Sequence, residues 1–337
     1  MTILVVATGG TIASLPDPET GAVRPAVGAE ELVAGVPGLA EIDELEVVEL
    51  DRVNGWNVTP AKMLEVASCL RERLAAPEVR GAVVTHGTDT VEETAFVCDL
   101  LVDGDKPVAF AAAMRSGAEV AADGPRNLIC AARVAAAEEA AGLGAVLVMN
   151  DEVHAARWAV KTDSYRVSAF ASPGHGPVGH VTPERLAIRS RPQRFTIAPP
   201  ERLGRAVPVV KTFTGMGERL IDAVLADSDA AGLVLEGTGA GNVPGAAVPG
   251  ISRAIERGLP VVVATRTAGG GTIPIYGGPG GGVTLRELGA AGAGGLTAAK
   301  ARLLLMVALE DADGEAGALA LFRRAAGVLA PGAFGPG

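Results

Sequence analysis

Short apolar runs alternate with segments of helical periodicity along most of this chain. This alternation is typical of an α/β domain on a mostly parallel sheet, because consecutive parallel strands need a crossover, usually a helix, between them. We therefore predict a larger, doubly wound N-terminal domain. Its predicted strands are Thr2–Ala7, Glu44–Leu50, Gly81–Thr85, Val108–Ala112 and Ala145–Met149. Its predicted helices are Glu30–Ala34, Pro60–Ala75 behind an N-cap at Thr59, one that begins after Thr90, and Arg126–Ala141.

A second domain is predicted in the last third of the chain. The length of 337 residues is enough for about two domains of roughly 150 residues each. The segment 192–207 carries several prolines and charged residues without a period, so we predict a linker between a catalytic domain at 1–191 and a smaller α/β domain at 208–337. The smaller domain is predicted from strands at Val207–Thr212, Gly232–Leu235 and Pro260–Ala264 and helices at Gly217–Ala226, Pro249–Arg257 and Ala298–Leu309.

Charge and hydropathy narrow the range of partners. The net charge is −10 and no run of Lys or Arg offers a basic surface, so nucleic acid is not expected. The apolar run Leu303–Leu309 is far shorter than the roughly 18–20 residues that span a bilayer, so no membrane partner is expected. Residues 1–13 are typical of a strand and a turn rather than of a signal peptide, which favours a cytoplasmic protein.

Cysteine and histidine usage also favours a cytoplasmic protein, and one without a zinc site. Cys69, Cys98 and Cys130 are widely spaced and odd in number, which predicts buried free thiols in a reducing cytoplasm. No Cys or His pair has the spacing of a zinc site, so no metal is predicted.

Two threonine-rich turns follow two predicted strands. The first turn is Thr8–Ala13, with the sequence TGGTIA, and the second turn is His86–Thr90, with the sequence HGTDT. Ligands of α/β proteins bind beyond the carboxyl ends of the strands, and glycines there let backbone N–H groups face an anion or oxyanion. A hydroxyl in such a turn becomes a nucleophile once a base takes its proton, and Asp89 and Lys161 are candidate members of such a relay. A lysine amine acts as a base when its neighbours and desolvation hold it neutral.

Other interpretations of these turns remain open on the residues alone. Thr and Asp after a strand are frequent helix caps, and Thr90 with Glu93 has the spacing of a capping box. A phosphate-binding turn is a further candidate. However, neither GxGxxG nor GxxxxGK[ST] occurs, so a dinucleotide or P-loop site has no specific support.

The pair of turns resembles the paired signatures of the bacterial-type L-asparaginase family, which hydrolyses the side-chain amide of asparagine and sometimes glutamine. Further blocks that resemble the family follow in the same order and cover nearly the whole chain. They are Ala113–Arg115, Ala122–Pro125 with Asn127–Leu128, Val148–Asp151, Lys161–Thr162, Phe170, Gly176–Gly179, Gly241–Asn242 and Lys300–Arg302.

The resemblance implies a role for each matched residue. Thr11 matches the threonine that forms an acyl-enzyme, and Thr88, Asp89 and Lys161 match a second catalytic group. In that group Thr88 positions or activates the attacking group, Asp89 binds the substrate amino group, and Lys161 raises the basicity of Thr88. The resemblance further implies an oxyanion hole of backbone N–H groups near Thr11 and Thr88. The implied substrate-binding positions are Gly10, Arg52, Gly87, Asp89, Ala113 and Asn242.

The resemblance also implies an assembly and the absence of a cofactor. Members of the family work as homotetramers in which the C-terminal domain of a neighbour completes each site, so we expect a homo-oligomer, either a dimer or a tetramer. Asn242 would lie at the shared edge. No metal or organic cofactor is implied.

Two departures from the family bear on the substrate. The lid after the first turn lacks the family's tyrosine, since residues 12–28 contain none, and the place falls near Ala22. We hypothesise that Tyr276, beside a glycine-rich loop, takes over that role; the alternative is a tyrosine packed in the core. The family's α-carboxylate ligands fall near Arg52, which predicts either a bidentate clamp on a carboxylate or a different substrate.

The sequence thus predicts an amidohydrolase that converts L-asparagine to aspartate and ammonia through a threonyl ester. One alternative is hydrolysis of another small amide, such as glutamine, a D-isomer or an N-substituted amide. Another is a paralogue that binds an amino acid without turning it over, although binding alone would not need the lysine.

Overall fold

The fold described here is that of a computed structural model, which describes residues 1–329 apart from the side chain of Pro25. Backbone contacts divide the chain into two compact units, Met1–Thr196 and Ile197–Gly337, called unit 1 and unit 2 below. The division falls within the segment 192–207. The domain bounds 1–191 and 208–337 stay a prediction.

Unit 1 contains the longer sheet and the helices that cover it. Its strands are β1 (Thr2–Gly9), β2 (Ser14–Pro16), β3 (Val23–Pro25), β4 (Glu44–Val53), β5 (Val79–Thr85), β6 (Val108–Ala111), β7 (Ala145–Met149), β8 (Glu152–Ala155), β9 (Val160–Lys161), β10 (Phe170–Ala171), β11 (Gly179–Val181) and β12 (Leu186–Ile188). Its α-helices are α1 (Ala29–Ala34), α2 (Pro60–Leu74), α3 (Val91–Leu101) and α4 (Gly124–Ala136). Thr59 caps α2 by accepting a hydrogen bond from Lys62 N, as the sequence predicts.

The main sheet of unit 1 has eight strands in the order β12-β11-β8-β7-β6-β5-β1-β4. The pairs from β4 to β7 are parallel, and β8, β11 and β12 add antiparallel pairs at one side. Both faces are covered, since α4 packs with one set of alternate strand residues while the other set is also fully buried. The first set includes Ile3, Val83, Ala109 and Val146, and the second includes Leu4, Val84, Phe110 and Leu147. A mostly parallel, doubly wound sheet is therefore confirmed.

Unit 2 is a smaller α/β unit, which is also confirmed. Its strands β13 (Val209–Lys211), β14 (Leu233–Gly237), β15 (Val261–Thr265) and β16 (Ala291–Gly292) form one parallel sheet in chain order. Its helices are α5 (Arg219–Ala226), α6 (Val248–Glu256), α7 (Gly282–Leu288), α8 (Ala298–Asp311) and α9 (Gly314–Leu329).

Two local predictions were wrong. The capping box at α3 is not formed on the Thr90 side, because Thr90 Oγ1 donates instead to Gly55 O at 2.6 Å. The predicted helix to Ala141 ends at Ala136, since the backbone of Ala137 is extended with φ −86° and ψ 129°, and a short 3₁₀ turn follows. For Thr90 the deciding partner lies 35 positions away along the chain, where local pattern gives no signal.

Lys161 lies outside the main sheet. The two-residue strand β9 pairs with the two-residue strand β10 in a separate antiparallel ribbon, with Lys161 opposite Phe170. Strands of this length are too short to show a period in sequence, so neither was predicted.

The cysteines are free, as expected from their spacing. Cys98 and Cys130 are buried, and Cys69 is half-buried. Desolvation, together with a hydrogen bond to Asp151, raises the pKa of the Cys130 thiol to about 12. Across residues 1–329, no helix is long and apolar enough to cross a membrane.

A buried ion pair joins α3 to the segment that follows β8. Arg157 Nη2 donates to Asp99 Oδ2 at 2.7 Å, and both side chains are only 1% exposed. Asp99 Oδ1 also accepts the amide of Ala145 at the start of β7. Removing one partner of such a pair leaves the other charge uncompensated in the interior.

Asp99→Asn is therefore expected to lower the free energy of unfolding by about 3–5 kcal/mol. The matched control is Asp103→Asn, because Asp103 is 71% exposed and pairs with Arg71 at 3.4 Å. That exposed pair is expected to contribute less than about 1 kcal/mol. Urea unfolding followed by circular dichroism measures both variants. Equal effects of the two substitutions would contradict the assignment.

Candidate active site

The first turn leaves β1 through glycines in a conformation that suits few other residues. Gly9 and Gly10 have φ of 100° and 85°, in the region that favours glycine. Gly10 N donates to Val53 O at the end of β4, and Ser14 Oγ donates to Gly10 O. Thr11 follows directly as the first residue of a short 3₁₀ helix. The turn therefore fixes the backbone position from which the Thr11 side chain extends.

The two turns meet backbone to backbone. A Cβ added to Gly10 would lie 2.4 Å from Gly87 N, and one added to Gly87 would lie 2.7 Å from Gly55 Cα. Real side chains do not tolerate such distances, so the first turn, the second turn and the segment at Gly55 converge because Gly10 and Gly87 have no Cβ. The contact brings Thr11 and Thr88 to one edge of the sheet.

Lys161 joins the second turn through its side chain. Its Nζ donates to Thr88 Oγ1 at 2.9 Å and to Asp89 Oδ1 at 2.7 Å. Thr88 is buried, the Lys161 side chain is 19% exposed and the Asp89 side chain is 43% exposed. The three residues named from the sequence are thus in contact, with the carboxylate at the open end of the group.

His86 lies behind the second turn and holds one of its peptide groups. Its Nδ1 lies 2.9 Å from Gly87 O, which only accepts, so Nδ1 carries the proton. Nε2 then accepts from Thr94 Oγ1 at 2.8 Å. Burial lowers the pKa of His86 from 6.5 to about 4, against a smaller opposing effect of the Gly87 carbonyl. The ring is therefore neutral at physiological pH and acts as a fixed donor.

The loop after β6 forms a further part of this edge. Ala113 is fully buried and lies, with Ile12, against Gly124 at the start of α4. Asp123 accepts the amides of Met114 and Arg115 and so fixes the loop just after Ala113. Ala113, a predicted substrate-binding position, therefore lies beside the first turn.

Arg52 is not part of this group. Its Nε and Nη2 donate to the two oxygens of Glu49 at 2.5 and 3.1 Å, and Glu49 also accepts the amide of Ala29. The Arg52 guanidinium and the Ala29 amide hold the pKa of Glu49 below its ordinary value. The predicted clamp role of Arg52 on a substrate carboxylate stays a prediction.

Asn242 and Tyr276 belong to unit 2. Asn242 Oδ1 accepts from Gly282 N at 3.2 Å, and its backbone pairs with Thr238 after β14. Tyr276 is 55% exposed, which excludes the alternative of a core tyrosine.

Two residues beside the site were missed from sequence. Glu92, on α3, accepts the amide of Lys161 through Oε2 at 2.5 Å. Trp56 follows Gly55 and is 64% exposed, although tryptophan rarely leaves its ring in water without a use. Its scarcity, with only two in the chain, was the available signal. In the described part of the chain no group of three or more His, Cys, Asp or Glu has the geometry of a metal site.

Comparison with protein families now agrees with the geometry. Residues 2–194 match the family model "Asparaginase, N-terminal", and residues 206–322 match "Glutaminase/Asparaginase C-terminal domain". The chain belongs to the asparaginase family, a class of hydrolases that act on amide C–N bonds.

Individual relatives cover nearly the whole chain. "L-asparaginase 2" of Bacillus subtilis is 34% identical over 316 residues, or 91% of this chain and 82% of that protein. "Probable L-asparaginase" of Deinococcus radiodurans is 37% identical over 317 residues, or 91% of this chain and 92% of that one. The crystal structure of "Probable Cytoplasmic L-asparaginase" from Campylobacter jejuni has a TM-score of 0.84 at 28% identity, covering 95% of this chain and 98% of that chain.

The burial of neutral His86 predicts an acid-sensitive fold. Its pKa is lower in the folded protein than in the unfolded chain, so the unfolded chain binds the proton first as the pH falls below 6.5. This contribution lowers the free energy of unfolding by about 2 kcal/mol between pH 7 and pH 5.

His86→Asn removes that contribution, so the difference in unfolding free energy between pH 7 and pH 5 should shrink by about the same amount. Urea titrations at the two pH values measure it, with His180→Asn, whose ring is 30% exposed, as control. An unchanged pH dependence in His86→Asn would refute the assignment.

Proposed function

We propose that this protein hydrolyses the side-chain amide of L-asparagine to aspartate and ammonia through an ester on Thr11. The observation that carries the proposal is the contact of Lys161 Nζ with both Thr88 and Asp89, beside the glycine contact that joins the two turns. The named relatives support the choice of substrate.

In the proposed first step, Thr11 Oγ attacks the amide carbon while its proton is passed to the amide nitrogen. The C–N bond then breaks, ammonia leaves and an ester remains. Water attacks the ester in the second step, giving the acid and restoring the Thr11 hydroxyl. Thr88 and Lys161 form the proton path, because Lys161 Nζ is hydrogen-bonded to Thr88 Oγ1. Asp89, at the open end, binds the substrate ammonium.

Backbone groups stabilise the oxyanion in this proposal. His86 holds the Gly87 carbonyl, and the N–H of the same planar peptide, that of Thr88, points the opposite way. Within residues 1–329 the Thr88 N–H has no hydrogen-bond partner. A preset donor of this kind is worth about 10²–10³ in turnover. In this proposal Gly10 and Gly87, whose contact joins the two turns, border the bound substrate, and the Ala113 carbonyl accepts from the leaving amide.

A different small amide is the second candidate substrate. Trp56 presents an exposed apolar ring next to Gly55, and Arg52 is already paired with Glu49. Both features favour a substrate with an apolar or N-substituted group over one held by a cationic clamp. L-Glutamine and the D-isomers of both amino acids are further candidates in this class of small amides.

We further propose that the chain is a cytoplasmic homo-oligomer in which Asn242 and Tyr276 of a neighbour complete each site. Free cysteines and the printed description of the Campylobacter jejuni relative support the compartment. In this proposal the catalytic domain is 1–191, the linker is 192–207 and the completing domain is 208–337.

Hydrolysis of a panel of amides tests the function, measured as release of ammonia, or of the substituted amine where the amide nitrogen carries a substituent. The panel contains L-asparagine, L-glutamine, both D-isomers and N-substituted asparagines. The highest kcat/KM is expected for L-asparagine; a higher value for an N-substituted amide would favour the second candidate. No release from any substrate by folded protein would favour a paralogue that only binds.

Thr11→Ala and Thr88→Ala are each expected to lower kcat by at least about 10²-fold, because each removes a group that forms the ester or moves its proton. Thr182→Ala is the matched control, since its hydroxyl bonds locally to Arg185 O in the turn between β11 and β12. Full activity of either site variant would overturn the assignment.

Tyr276→Phe is expected to lower kcat by about 10-fold, the effect of one lost hydrogen bond of roughly 1.4 kcal/mol in the transition state. Tyr165→Phe is the control, because Tyr165 is the only other tyrosine in the chain and is 84% exposed. A rate for Tyr276→Phe close to that of the unmodified protein would exclude Tyr276 as the replacement for the lid tyrosine.

A further inference from the structure

The position of Lys161 depends on few contacts of its own ribbon. Strands β9 and β10 each have two residues, and among the described residues they pair with each other and not with the main sheet. Thr162 N also donates to Ala169 O, which closes the same ribbon. None of these contacts ties the lysine to the second turn.

Glu92 supplies such a tie. Its Oε2 accepts the Lys161 amide, while Lys161 Nζ reaches Thr88 and Asp89. Glu92 is the second residue of α3, which begins directly after the second turn, so one continuous segment carries Thr88, Asp89 and Glu92. Lys161 is therefore attached to that segment at both ends, by its backbone N–H and by its Nζ.

We propose that Glu92 is the positioning residue for Lys161 in the reaction, an inference that rests on the proposed function. A lysine side chain has four rotatable bonds, so its amine can be placed reproducibly only if its backbone is fixed. A carboxylate that accepts a backbone N–H makes a strong, directional contact for this purpose. Glu92 acts through Lys161 and does not itself touch the reacting atoms.

A general effect on the helix is the competing explanation. Glu92 and Glu93 both lie in the first turn of α3, where negative charge is favourable to any helix. That explanation predicts similar effects at the two positions. Positioning predicts an effect at Glu92 alone, and one that a neutral acceptor restores.

The kinetic test compares Glu92→Ala, Glu92→Gln and Glu93→Ala. Glu92→Ala is expected to lower kcat at least about 10-fold while KM changes less than about threefold, because Asp89 stays on its own turn. Glu92→Gln keeps an acceptor oxygen and should recover kcat to within about threefold of the unmodified protein. Glu93→Ala should also remain within about threefold. Equal losses in Glu92→Ala and Glu93→Ala, or no rescue by glutamine, would overturn the proposal.

Hydrogen exchange of the Lys161 amide tests the contact without any substrate. The amide should be protected in the unmodified protein and in Glu92→Gln, and should exchange at least about 10-fold faster in folded Glu92→Ala. This readout keeps its meaning if no amide in the panel is hydrolysed, so it separates failure of this proposal from failure of the proposed function. Equal exchange in all three proteins would overturn the positioning role.

Discussion

The close backbone contact of Gly10, Gly87 and Gly55 is the constraint on which the site depends. Three segments that follow β1, β5 and β4 approach to distances that a Cβ on Gly10 or Gly87 would block. Two of them carry the threonines, and the third carries Trp56. The parallel sheet places these segments at one edge of the sheet. Because glycine has no Cβ, their backbones can then come into direct contact. A larger residue at Gly10 or Gly87 would separate groups that must act together.

Side chains of the second turn and α3 extend this contact outward. His86 bonds to the Gly87 carbonyl and to Thr94, Thr90 bonds to the Gly55 carbonyl, and Glu92 bonds to the Lys161 amide. The His86 contacts join the second turn to α3, whereas Thr90 and Glu92 tie two other parts of unit 1 to this short segment. The segment thus supplies two proposed reacting groups, Thr88 and Asp89, together with the side chains that hold their surroundings in place.

Sequence was informative where the controlling interaction is local or repeated. Apolar runs predicted the strands β1, β4, β5, β6 and β7, and Thr59 predicted the cap of α2. The TGGT and HGTDT turns with Lys161 predicted residues that the structure places together. It failed where a distant partner decides. Thr90 has a capping pattern but bonds to Gly55, 35 positions away, and Glu92 meets Lys161 69 positions away. No local pattern carries that information.

The placement of Lys161 on the small β9–β10 ribbon has a consequence for how the protein fails under stress. Free energies of local opening range from near zero up to that of global unfolding, and a ribbon of two short strands belongs at the low end. Opening it together with the contact between Glu92 and the Lys161 amide would withdraw the amine from Thr88 while the eight-stranded sheet stays intact. The site would therefore switch off reversibly at denaturant concentrations or temperatures that leave helix and sheet content unchanged.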